Sequence, residues 1–358
     1  MTKLLIVPGD GIGPEITAVV ERALIALNTR FELDLDLERV EVGQSLLKRQ
    51  GTTMPPDLIE RARAADGVIL GPLSTADYPP AADGGHNVSA RLRRDLDLYA
   101  NIRPSRARAG IARTDRPMDL IIVRENSEGF FSDRIMAVGN GEFMPTPDVA
   151  LALRKITVRA SQRIAELAFA MARERRCKLV AVNKRNVFKI SDGLFLRVCR
   201  EVGQRYPDVE YEEVFVDAMA ALLIRCPERF DIVLCTNLFG DILSDEAGEL
   251  SGSLGLAASL NSGVDDAVAQ AVHGSAPDIA GRDIANPSGL LLATVMLLRW
   301  LARRASSGAL SAAADGLEAT VERALADPAR RTVDLGGTTR TSEFGRAIEA
   351  GILGRVSG

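Results

Sequence analysis

Residues 3–27, KLLIVPGDGIGPEITAVVERALIAL, run from a short apolar stretch through three alternate glycines into a segment with apolar residues every three or four positions. That order predicts a buried strand, a tight turn and a helix, and Pro14 suits the first helical turn. Gly9, Gly11 and Gly13 invite comparison with a dinucleotide fingerprint. The third glycine of G-x-G-x-x-G is out of place, however, and no acidic residue is well positioned at the end of a second strand. Taken alone, the motif is a strand-to-helix turn.

The alternation continues outward. Residues 67–70, 120–123, 179–182 and 232–235 are brief apolar runs bounded by turn residues, the pattern of buried strands. Residues 56–65, 158–175, 193–205 and 290–305 carry the helical spacing. Strand and helix alternate, so the predicted class is α/β. No repeat and no Pro- or Ser-rich linker divides the chain, so two lobes would have to be interwoven. Residues 135–148, rich in Gly and Pro after a strand-like stretch, suit a protruding arm.

With 44 basic against 48 acidic residues and 46% hydrophobic content, the composition is that of a globular protein. A net charge of -4 provides no field to gather nucleic acid, and the arginine clusters at 91–94 and 173–176 sit among acids. The opening MTKLLIVPGD lacks a signal-peptide core, and no apolar run approaches a membrane span. A cytoplasmic protein with no membrane partner is expected. Cys177, Cys199, Cys226 and Cys235 form no CxxC pair and read as reduced thiols.

Four groups of residues suggest chemistry. Arg93, Arg103 and Arg124 each stand where a helix or strand meets a loop. One such arginine is ordinarily a surface ion pair, but three guanidiniums can clamp the carboxylates of a small polyacid bidentately. Asp241 and Asp245, in TNLFGDILSDEAGELSGSLG, lie four apart on a predicted helix and so share a face. The pair suits a hard divalent cation, or equally an acid-rich helical turn. Asp217 after a strand offers a third carboxylate, and Lys184 ends a buried strand, where partial desolvation would suit it to accept a proton or where it could simply snorkel. Lastly, VHGSAPDIAG at 272–281 and IANP at 284–287 form a Gly/Pro-punctuated loop able to wrap a nucleotide.

Taken together, GDGIGPE, GPLST, LRRDLDLYANIRP, VREN, NKRN, VDAMA, NLFGDILSD and HGSAPDIAG with IANP resemble the isocitrate/isopropylmalate dehydrogenase family of metal-dependent β-decarboxylating dehydrogenases. The resemblance runs from about residue 4 to residue 300, with the motifs in family order. It implies the isopropylmalate dehydrogenase-like fold, which is not a Rossmann domain: two interwoven α/β lobes sharing a mixed sheet, with the active cleft between them. Residues 1–98 plus 253–358 would form the large, cofactor-binding lobe, and 99–252 the small lobe carrying the metal site and an arm at about 135–155. The arm would intertwine with its twin in a homodimer whose active sites draw on both subunits.

Carried over by this resemblance, Arg93, Arg103 and Arg124 hold the carboxylates of a 3-substituted malate. Asp241 and Asp245, with Asp217 of the partner subunit, hold Mg²⁺ or Mn²⁺, and Lys184 of the partner subunit is the general base. Ser74 and Thr75 face the nicotinamide end of NAD. His273, Gly274, Ser275, Ala276, Asp278, Ile279 and Asn286 surround the adenosine, with Asp278 disfavouring a 2′-phosphate and so favouring NAD over NADP.

The chain departs from the family at Phe131, seven residues after Arg124, where a tyrosine usually protonates the enol carbon; phenylalanine has no proton to give. A catalytically silent regulatory subunit is therefore the competing expectation. Gln270 replaces a frequent glutamate. Ahead of Arg93, His86, Asn87, Ser89 and Ala90 stand where isopropylmalate enzymes present leucines. Asn87 and Ser89 thus favour a polar substituent, isocitrate-like or homoisocitrate-like ahead of isopropylmalate, with tartrate or D-malate behind.

Overall fold

A computed structural model describes residues 1–131 and 141–354. In chain order the strands are β1 (Thr2–Val7), β2 (Leu35–Arg39), β3 (Gly67–Leu70), β4 (Ala100–Arg106), β5 (Asp119–Glu125), β6 (Glu142–Thr146), β7 (Val149–Ala152), β8 (Lys178–Asn183), β9 (Glu210–Phe215), β10 (Ile232–Cys235), β11 (Ala258–Ser262) and β12 (Ala267–Ala271). The helices are α1 (Gly13–Phe31), α2 (Gln44–Gln50), α3 (Leu58–Ala64), α4 (Val88–Asp95), α5 (Val158–Arg173), α6 (Ser191–Gly203), α7 (Val216–Arg225), α8 (Asn237–Leu250), α9 (Ser288–Ala305), α10 (Gly308–Ala326) and α11 (Thr341–Ile352). None of them is long and apolar enough to cross a membrane among the described residues, and the four cysteines are free.

The chain divides into two compact units. The first comprises Met1–Leu96, Arg108–Ile111 and the chain from Gly252 onward; the second comprises Asp97–Ala107 and Ala112–Ser251. The short return at 108–111 belongs to the first unit because Arg108 pairs with Glu322 at 2.7 Å and Arg331 donates to the Gly110 carbonyl at 2.7 Å.

In the first unit the strand order is β2-β1-β3-β12-β11, parallel except for the antiparallel β11–β12 pair, an order unlike the Rossmann one. The core lies under α1, α9, α10 and α11, where Ile16, Val20, Leu24 and Leu27 of α1 are fully buried at helical spacing. The glycines between β1 and α1 are there for close packing. Gly11 has φ +57° and a β-carbon on it would meet the Ser275 carbonyl oxygen at 1.9 Å; on Gly13 it would meet that of Pro8 at 2.1 Å.

In the second unit the order is β4-β5-β10-β8-β9, with only β4 antiparallel. Its inner strands β5, β10 and β8 are apolar on both faces because helices cover both. Val123, Leu179, Ala181, Ile232 and Leu234 pack toward α5 and α6, while Ile122, Val180, Val182, Val233 and Cys235 pack toward α7 and α8. The arm expected at about 135–155 falls partly outside the described residues; its described part is an antiparallel β6–β7 hairpin. That hairpin leaves Phe143, Met144, Val149 and Leu151 exposed.

At the foot of the arm, Gly129 bridges Lys155, and Glu128 accepts hydrogen bonds from the Thr157 N–H at 2.8 Å and hydroxyl at 2.9 Å. Burial pushes the Glu128 carboxyl up from 4.5 to about 7, against the Thr157 hydrogen bonds and with Glu125 adding to the rise. Between these two values the unfolded chain has released a proton that the folded chain still holds, so stability falls as pH rises through that window. Glu128→Gln, which stays neutral, is expected to gain roughly 2–4 °C in melting temperature over the wild type on going from pH 5 to pH 7.5. Thermal scans at the two pH values check this, and a constant offset would refute it.

Candidate active site

The second unit assembles its charges at the carboxyl ends of parallel strands, where a βα turn exposes side chains and backbone groups to a ligand. Arg124 is the last residue but one of β5 and stands opposite Cys235, the last residue of β10. The chain then turns through Thr236 into α8, which carries Asp241 and Asp245 one turn apart. Arg103 reaches the same place from β4.

Both guanidiniums are buried, Arg124 being 1% and Arg103 7% exposed. Arg124 donates to Asn237 Oδ1 at 2.8 Å and closely to Asp241. Arg103 donates to Asn101 Oδ1 at 2.6 Å and Ser244 Oγ at 2.7 Å, and reaches Asp241 and Asp245 at 3.2 Å each. Side-chain partners thus hold each guanidinium plane in one orientation, as bidentate recognition of a carboxylate requires. Burial pushes the Asp245 carboxyl up, Arg103 opposes this, and Asp241 adds to it. A cation beside the pair would relieve both the burial and the repulsion. Gly240 brings α8 against Arg124, since a β-carbon there would lie 2.7 Å from Arg124 Cβ. The Phe131 ring centroid is 5.3 Å from Arg124 Cζ.

Lys184 and Asp217 follow the neighbouring strands β8 and β9, whose last residues Asn183 and Phe215 are in register. Their side chains pair at 2.6 Å, and the hydrogen bond from Lys184 holds the Asp217 carboxyl below the usual range. Lys184 at the strand end is partly desolvated, its side chain 24% exposed, and it faces a carboxylate. Among the described residues of the chain no three His, Cys, Asp or Glu side chains cluster, so Asp217 and the Asp241–Asp245 pair form separate groups.

Three other expected residues belong to the first unit, on and before α4. Arg93 is half-buried in its last turn. Asn87 is the N-cap, its Oδ1 accepting the Ala90 N–H at 2.9 Å, which leaves only the amide NH₂ for a ligand. Ser89 donates a long bond of 3.4 Å to Gln270.

A cavity of 360 Å³ in the first unit is lined by His273, Gly274, Ala276, Ile279 and Asn286 of the expected nucleotide set. Burial pushes the His273 imidazole down, its Nδ1 lies 3.0 Å from the Gly274 carbonyl oxygen, and its buried Nε2 has no partner among the described residues. Not every expected residue lines the cavity. Ser275 is buried beside it, its carbonyl taking the Ile12 N–H at 2.9 Å and its hydroxyl bonding that of Ser74 at 2.7 Å. Thr75 opens an exposed 3₁₀ turn, and Asp278 is exposed. Asp334 was not foreseen. It lines the cavity from a 3₁₀ turn, Val333–Leu335, and accepts from Ser253 at 2.7 Å and Asn286 at 3.0 Å. No local motif marks it, because its partners on the cavity wall, Ser253 and Asn286, lie 81 and 48 residues away in sequence.

Comparison with known proteins identifies the family. The family model described as isocitrate/isopropylmalate dehydrogenase matches residues 3–348. A 3-isopropylmalate dehydrogenase of Archaeoglobus fulgidus is 38% identical over 97% of this chain and 98% of its own length. The mitochondrial isocitrate dehydrogenase [NAD] catalytic subunit 5 of Arabidopsis thaliana is also 38% identical, over 95% of this chain and 86% of its own. The crystal structure of isocitrate dehydrogenase from Methylococcus capsulatus superposes with a TM-score of 0.84 at 35% identity, covering 99% of this chain and 100% of that one. The fold is the one these dehydrogenases share, and the chain belongs to the isocitrate/isopropylmalate dehydrogenase family of enzymes.

Proposed function

We propose that the chain is an NAD-dependent, metal-requiring dehydrogenase that oxidises and decarboxylates a 3-substituted (2R)-malate-type acid as a cytoplasmic homodimer with shared active sites. One observation carries this reading: two buried arginines converge on Asp241, which shares a helix face with Asp245. A polyanion and a cation are thus both provided for in one place.

Asp241 and Asp245, with Asp217 of the partner subunit, would hold Mg²⁺ or Mn²⁺, hard ions suited to carboxylate oxygen. When bound, such an ion supplies Lewis-acid stabilisation of the negative charge that develops on the substrate's oxygens. Arg93, Arg103 and Arg124 bind the substrate carboxylates and orient the C–H bond toward the nicotinamide. Lys184 of the partner subunit accepts the hydroxyl proton, and Asp217 holds that ammonium in place at 2.6 Å. Phe131 offers no proton, so water supplies the one that ends on carbon after CO₂ leaves. NAD suits the cavity because His273 presents an unpartnered ring nitrogen to the adenosine end, while Asp334 and Asp278 would repel a 2′-phosphate. The exposed apolar hairpin supports a clasp between protomers.

Among substrates, the polar amide of Asn87 and hydroxyl of Ser89 favour an isocitrate-like or homoisocitrate-like substituent over isopropyl, tartrate and D-malate ranking after them. The second reading, a catalytically silent regulatory subunit, is favoured by Phe131 alone. Purified protein with Mn²⁺, NAD and a panel of these acids tests both. Mn²⁺-dependent NADH from one of them is the expected result. No NADH from any acid, with NAD binding retained, would assign the silent subunit instead.

A further inference from the structure

We propose that Arg154 is a positioning residue that fixes the Lys184 turn through Asp192 and thereby ties the foot of the arm to the proton-transfer group; this rests on the function proposed above. Arg154 follows β7, whose residues are exposed, yet its own side chain is only 8% exposed. It forms an ion pair with the wholly buried Asp192 at 2.6 Å and donates to Ser191 Oγ at 2.7 Å and Thr236 Oγ1 at 3.2 Å. Its Cζ lies 4.8 Å from the ring centroid of Phe188, 5.5 Å from that of Phe239 and 5.8 Å from that of Phe130.

A cage of three phenylalanines would pack as well around an aliphatic side chain, and a buried ion pair adds little to stability over such a replacement. What the charges do add is direction. The second carboxylate oxygen of Asp192 accepts the Lys184 N–H at 2.6 Å. Between these residues the Lys184 carbonyl accepts from Val187 and Phe188 at 2.9 Å each, and the Asp192 N–H donates to Phe188 at 3.0 Å. The turn from 184 to 192 is therefore closed on itself and held at both ends by one carboxylate, whose orientation Arg154 sets. The same guanidinium touches Thr236, the N-cap residue of the helix carrying Asp241 and Asp245. Arg154 thus makes contact, within one protomer, with the turn bearing Lys184 and with the start of the carboxylate helix. Strain or movement at the arm would reach both groups through it.

The test uses the full chain and three variants: Arg154→Met, Arg154→Lys, and Arg154→Met with Asp192→Asn. The last leaves no buried unpaired charge and serves where the single methionine variant does not fold. Amide hydrogen exchange over residues 183–190 is expected to quicken about tenfold or more in the methionine variants, with residues 158–173 unchanged, and to be largely restored by lysine. Turnover should fall about 10- to 100-fold while KM for the acid and for NAD stays within about threefold. Unchanged exchange over 183–190, or an equal rise across the whole unit, would overturn the proposal. The exchange measurement needs no substrate, so it decides the role of Arg154 even if no acid in the panel is oxidised and the functional reading fails.

Discussion

Asp241→Asn is expected to lower kcat/KM by at least about 10²-fold and to raise the Mn²⁺ concentration needed for half-maximal activity by tenfold or more. Ligands that merely orient a metal's own ligands are worth about 10- to 100-fold, so a direct carboxylate should exceed that. Asparagine keeps the shape and one acceptor oxygen but removes the charge on which Arg103 and Arg124 both converge. Two guanidiniums, 7% and 1% exposed, would then face each other with less counter-charge. The variant should accordingly bind free polycarboxylate no more weakly than the wild type, because the arginines remain, while metal-dependent turnover is lost. Calorimetric titration with Mn²⁺ and with the acid separates the two effects. Wild-type Mn²⁺ dependence in Asp241→Asn would remove the metal role from α8, and would favour a protein that uses only its nucleotide cavity.

How much of this could be read from residues alone varies with the physics of each part. The strands at 67–70 and 232–235 lie where the apolar runs place them, because a strand covered on both faces is apolar throughout and stops where the turn residues begin. Edge strands carry no such mark. In β2, LDLER, no residue is fully buried, so it was not foreseen, and β9, EYEEVF, where only Val214 is buried, was foreseen only as the strand before Asp217. Helix α10 was missed for another reason: two of the five residues Leu310, Ala313, Ala314, Leu317 and Val321 on its buried face are alanine, and further alanines on the open side flatten the contrast. In the site, Arg103, Arg124, Asp241 and Asp245 were legible because each belongs to a motif with its own chemistry. Asp334, Asp192 and Arg154 were not, since their partners come from separate segments brought together only by folding. Lys184 and Asp217 were each placed after a strand, but their pairing was not foreseen, because it depends on β8 and β9 lying side by side.

Lys184→Met is expected to reduce kcat by about 10²–10⁴-fold with little change in KM, the range for loss of a positioned general base. By itself that result would not say whose lysine serves which site. The separation of carboxylates within one protomer, Asp217 with Lys184 and Asp241 with Asp245, makes the stronger prediction. If each active site takes Lys184 and Asp217 from one subunit and Asp241 from the other, a hybrid of Lys184→Met with Asp241→Asn has one site with both defects and one with neither. Random pairing of the two nearly inactive variants puts half the chains into hybrids, each with one sound site of two, so activity should recover to about a quarter of wild type. Co-expression with two different affinity tags, followed by assay of the doubly tagged dimer, measures this directly: the isolated hybrid should show about half the wild-type kcat. A hybrid as inactive as its parents would mean that every site is built within a single chain, and the shared-site homodimer would have to be abandoned.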